Sequence, residues 1–62
     1  MKISLKAARV NADMTLNEAC KAIGVSYATL VRLEKNPQSV KAKHQQKISE
    51  VYKMPLECIR FQ

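Results

Sequence analysis

The chain has 62 residues, 47% of them hydrophobic, and its 11 lysines and arginines outweigh 5 acids to give a net charge of +6. A chain this short makes one domain, 1–62, and buries only about 60% of its unfolded surface, so a deep pocket for a small-molecule substrate is not expected. The positive balance points to a polyanionic partner, nucleic acid or an anionic membrane surface, and no stretch approaches the roughly 20 apolar residues of a membrane span.

Apolar residues recur at three- and four-residue steps, with no alternating run long enough for a strand, so the chain reads as all-α. A first helix is expected over about Ile3 to Ala12, with Leu5, Ala8 and Ala12 on one face. Asp13 stops it, because aspartate tolerates left-handed backbone better than most residues. A second helix spans about Leu16 to Ile23 and turns Ala19, Cys20 and Ile23 inward. Thr15 and Glu18 have the spacing of a capping box at its start. Gly24 supplies the left-handed residue after its end.

Ser26 caps a third helix, about Tyr27 to Lys35, with Leu30 and Leu33 toward the core; Asn36-Pro37 ends it. Ser39 is the candidate cap of a fourth helix over Val40 to Tyr52, with His44, Ile48, Val51 and Tyr52 on one stripe. Tyr52 is expected in the core with its hydroxyl reaching solvent. Met54-Pro55 opens a fifth, short helix with Leu56 and Ile59 inward.

Thr15 to Leu33 therefore reads as a helix-turn-helix. Two steeply crossing helices approach closely near the turn, which suits the small Cys20, while Val25 plugs the angle between them. The other face of the third helix carries Ala28, Val31, Arg32 and Lys35, with Tyr27 at its exposed N-terminal end. A small residue, a valine and an arginine make poor core but a good groove-reading surface. Arg32 can bond a guanine edge twice, and Ala28 or Val31 can touch a thymine methyl. Ser26 and Thr29 hydroxyls are candidate phosphate contacts.

With these residues in place, the chain resembles the lambda-repressor/Cro-like family of small five-helix DNA-binding domains found in phage repressors and bacterial regulators. The resemblance covers about Leu5 to Phe61 and is strongest over GVSYATLVRLE, residues 24 to 34. It implies a five-helix fold whose third helix enters the DNA major groove, with Tyr27, Ala28 and Arg32 at base-reading positions. It also implies a structural ion pair between Arg9 and Glu34, and binding as a homodimer to double-stranded DNA. Three places depart from the family's pattern. Leu16 stands where a phosphate-binding glutamine is frequent; Asp13 and Lys53 stand where glycine is usual; and KNPQSVKAK differs from the usual loop, although the resemblance still places its Lys35, Lys41 and Lys43 where the family's loop follows the DNA backbone.

The function expected is that of a sequence-specific transcriptional regulator of repressor type. The alternative is a helix-turn-helix protein-interaction module, antitoxin- or anti-repressor-like, without an operator of its own. Catalysis is not expected: no carboxylate pair, Cys/His pair or glycine-rich phosphate loop is arranged for it. Cys20 and Cys58 form no CxxC pattern, and with His44 alone they cannot supply familiar zinc ligands, so neither metal nor cofactor is expected. MKISLKAARV lacks the apolar run of a secretion signal, and the lone cysteines suit a reducing compartment, which together suggest a cytoplasmic location. The tail, Leu56 to Gln62, is the candidate dimer surface, since Phe61 is otherwise an exposed aromatic.

Overall fold

Hydroxyl side chains start three of the four α-helices in the computed structural model, which describes residues 1–61. Helix α1 (Leu5–Asn11) begins at Ser4, whose Oγ accepts from the Ala7 amide at 3.0 Å. Helix α2 (Leu16–Ile23) begins at Thr15 with both halves of the capping box: the Glu18 amide donates to Thr15 Oγ1 at 3.1 Å, and the Thr15 amide donates to Glu18 Oε1 at 2.9 Å. The Thr15 amide, and next its hydroxyl, hold the Glu18 carboxyl below its usual pKa. Helix α3 (Tyr27–Lys35) begins at Ser26, whose Oγ accepts from the Thr29 amide at 3.1 Å. Helix α4 (Ala42–Tyr52) follows Lys41 and has no side-chain cap. Two 3₁₀ turns, Pro37–Ser39 and Leu56–Cys58, complete the described elements.

The helix ends explain how the chain turns with one glycine. After α1, α2 and α4 the backbone goes left-handed, at Asp13 (φ 61), Gly24 (φ 92) and Lys53 (φ 54). At each end an amide reaches back across the last turn to a carbonyl five residues earlier: Met14 to Arg9, Val25 to Cys20, and Met54 to Ser49. This is the Schellman closure, which satisfies carbonyls the helix leaves open. At α4 the Ser49 hydroxyl adds a 2.6 Å bond to the Met54 carbonyl. Lysine has no local hydrogen bond to ease left-handed backbone, whereas aspartate often does. Lys53→Gly is therefore expected to raise stability by about 0.5–1 kcal/mol, and Asp13→Gly by less. Urea denaturation checks the order; a loss of stability in the Lys53 variant would show that its side chain contributes more than the backbone strain removes.

Helix α2 lies between α3 and α4 and packs on both, while α1 packs on α4. Leu5 and Ala8 of α1, Ala19, Cys20 and Ile23 of α2, Leu30 and Leu33 of α3, and Ile48 and Tyr52 of α4 form the core, with Val40 and Ile59 from the connections. α2 and α3 fall on their predicted spans, and the faces read from the sequence are the faces buried.

The remaining boundaries move for identifiable reasons. The first helix starts at Leu5 rather than Ile3, because Ile3 is extended and pairs with Ile59 in an isolated parallel β-bridge. The Ile3 amide donates to the Cys58 carbonyl at 2.9 Å, and the Arg60 amide donates to the Ile3 carbonyl at 2.8 Å. The same bridge replaces the expected fifth helix with a single 3₁₀ turn: Ile59 is extended and 1% exposed, while Leu56, expected inward, is 40% exposed. Ser39 does not cap α4. Its hydroxyl donates to the Asn36 carbonyl at 2.8 Å, Val40 turns into the core, and α4 starts at Ala42. His44 and Val51 are half-buried beside the fully buried Ile48 and Tyr52. Phe61 is not a free aromatic but packs, half-buried, against the core; Gln62 lies outside the described residues. No described helix is long and apolar enough to cross a membrane.

Candidate nucleic-acid interface

Helix α3 holds the candidate contacts on a rigid ramp. At about 100° per residue, Tyr27, Ala28, Val31, Arg32 and Lys35 span an arc of roughly 140°, and Leu30 and Leu33 lie on the far side. Leu30 is 0% and Leu33 3% exposed, which fixes the rotation of the helix about its axis. The opposite arc must then face out: Tyr27, Ala28, Arg32 and Lys35 are exposed and Val31 is half-buried at the margin. Gly24 sets the angle at which α3 leaves α2; a Cβ there meets nothing within 4 Å, so glycine is required by the backbone (φ 92) and not by space.

Charge is sorted across this helix. Its one acid, Glu34, turns inward to Arg9, whose Nε donates to Glu34 Oε2 at 2.7 Å. Arg9 Nη1 donates to the Met14 carbonyl at 2.9 Å, so one guanidinium ties α1, the turn after it, and α3 together. Both side chains are only about a tenth exposed, at 10% and 11%. The outward face keeps Arg32 and Lys35 with no carboxylate beside them on the helix, and both lie in the last turn, where the helix dipole favours cations.

Tyr52 stands close to this pair but not as expected from sequence. Its hydroxyl does not reach solvent: it is buried and has no hydrogen-bond partner among the described residues. Burial, and next the nearby Glu34 carboxylate, push its pKa up to about 12 against a smaller opposing effect of Arg9, so it stays a neutral phenol.

The hydroxyls at the start of α3 are partly engaged with each other. Ser26 Oγ accepts the Thr29 amide and donates to Thr29 Oγ1 at 2.8 Å, which leaves the Thr29 proton as the one free to meet an acceptor. Lys41 and Lys43 are exposed at the start of α4. That helix has no side-chain cap and no acid in its first turn, so its unbonded amides and both lysines add positive potential of the same sign. Sequence reading missed the surroundings of Leu16. It is half-buried on the core and lines an open cleft of about 300 Å3 with Lys6, Arg9, Val31, Glu34 and Lys35. The three-residue spacing of Lys6 and Arg9 on α1 was the available signal.

Cys20 is buried, its thiol donating to the Asn17 carbonyl at 3.2 Å, and Cys58 is half-buried; both are free. The family model described as helix-turn-helix matches residues 5–57. No curated protein and no solved structure matches the chain.

Proposed function

Because the chain belongs to the lambda-repressor/Cro-like helix-turn-helix family, we propose that it is a sequence-specific double-stranded DNA-binding transcriptional regulator of repressor type. α3 enters the major groove, with Tyr27, Ala28, Val31 and Arg32 toward base edges. Ser26, Thr29, Lys35, Lys41 and Lys43 face the phosphate backbone, and of the two hydroxyls it is Thr29 that donates. The observation that carries this reading is the outward arc of α3, where exposed Arg32 and Lys35 stand without an acid because Glu34 is turned to Arg9. A helix with side chains is about 10–12 Å across and the major groove about 12 Å wide, so such an arc can lie along base edges.

One subunit reaches few base pairs, and two copies on half-sites about one helical turn apart double the contact. The protein is thus read as a homodimer on DNA, acting in the cytoplasm of a bacterial or phage-infected cell. Selection from random duplex DNA at fixed salt tests the proposal. The expected result is a two-fold symmetric motif bound with a log–log salt slope of roughly −3 to −4 per subunit, from about four phosphate contacts. Failure to enrich any sequence overturns it and favours a protein-interaction module.

A further inference from the structure

The cleft between α1 and α3 contains a charge pattern that the contacts proposed above use only at Lys35. Its walls carry three cations, Lys6, Arg9 and Lys35, against one carboxylate, Glu34. That carboxylate is spent on Arg9 at 2.7 Å, the only salt bridge among the described residues. Lys6 and Lys35, both exposed and without an ion pair among the described residues, are left lining the same open cleft. The cleft is open and of about 300 Å3, so a phosphate can approach its mouth without displacing protein.

Its position matters as much as its charge. Val31 and Lys35 of α3 form one wall, so the cleft borders the arc that faces the major groove. Its lining also includes Leu16, the first residue of α2. A leucine side chain there can offer nothing to a phosphate. A side-chain donor lining the same cleft comes instead from α1, at Lys6, three residues before Arg9 and so on the same helix face.

We propose that Lys6 is a DNA-backbone contact. It binds, with Lys35, a phosphate lodged at the mouth of this cleft and supplies from α1 the anchor that Leu16 cannot supply from α2. This rests on the DNA-binding reading above and extends the interface to a third helix. The site takes a phosphodiester and reads no base, so it sets affinity and register while leaving sequence preference untouched.

The test uses the full chain and the duplex that wild type selects, titrated over a range of salt. Lys6→Gln should weaken binding about 3- to 10-fold near 0.1 M salt, reduce the log–log slope by about 1 per subunit, and leave the selected sequence unchanged. Lys6→Arg should keep the wild-type slope. Lys21→Gln, which removes an exposed lysine at the far end of α2, controls for loss of net charge and should change the slope by much less. Equal effects of the Lys6 and Lys21 changes, or an unaltered slope in Lys6→Gln, overturn the assignment. If wild type itself selects no duplex, the failure is that of the DNA-binding reading, and the Lys6 assignment falls with it.

Discussion

Glu34→Ala is expected to destabilise the fold by about 3–5 kcal/mol. The reason lies in what the substitution leaves behind. Arg9 is 8% exposed as a residue, and its Nε loses the 2.7 Å partner that justifies its burial. The stranded group is a guanidinium, a permanent cation. Its remaining bond, to the Met14 carbonyl at 2.9 Å, keeps it in place. A chain of this length carries a total stability of roughly 3–9 kcal/mol at the usual 0.05–0.15 kcal/mol per residue, so the loss is comparable to the whole. The open cleft beside the pair lets water reach the orphaned charge, which favours the lower end of the range.

Urea denaturation of wild type, Glu34→Ala and the double variant Arg9→Met/Glu34→Leu checks this. The double variant should recover most of the stability, because two apolar side chains leave no buried charge unpaired. A loss under about 1 kcal/mol in the single variant would place the pair with ordinary surface ion pairs. A double variant as unstable as the single one would mean that the geometry of the pair, and not the stranded charge, holds α1 to α3.

What could be read in the sequence is what is decided within a few residues. Thr15, Glu18, Gly24 and Ser26 mark the ends of α2 and α3 because capping is local, and the spacing of Leu30 and Leu33 fixes which arc of α3 is buried. Asp13 was legible as a stop for the same reason. The parts that escaped depend on partners far away in the chain. Ile3 is extended because Ile59, fifty-six positions later, pairs with it, and that pairing also cuts the expected fifth helix to one turn. Val40 leaves α4 to fill the core, and the Gln45 amide, donating to the Val40 carbonyl at 3.1 Å, holds it there. The Tyr52 hydroxyl is shut away by its neighbours' packing, which no helical wheel of α4 can show. The cleft at Lys6 is likewise a product of where α1 meets α3.

Arg32→Ala is expected to weaken binding to the selected duplex sharply while leaving the fold intact. Arg32 is exposed, and its side chain has no ion pair among the described residues. Alanine is also the stronger helix former, so the melting temperature should hold or rise slightly. A bidentate arginine–guanine contact discriminates by about 1–3 kcal/mol, and a two-fold pair makes it twice, for a loss of roughly 30-fold to more than 10⁴-fold on the selected duplex. The pattern of loss is more informative than its size. A base contact, once removed, relaxes preference at one position of each half-site and barely changes binding to unrelated DNA. A phosphate contact, once removed, weakens all sequences alike and lowers the salt slope by about 1, which is the behaviour expected of Lys35→Ala. Binding of both variants across a panel of single-base changes, at two salt concentrations, separates the two roles. If Arg32→Ala behaves as Lys35→Ala should, then Arg32 grips the backbone and base reading falls to Tyr27, Ala28 and Val31. If it binds the selected duplex as wild type does, α3 is not the reading helix, and its acid-free arc is free for a protein partner.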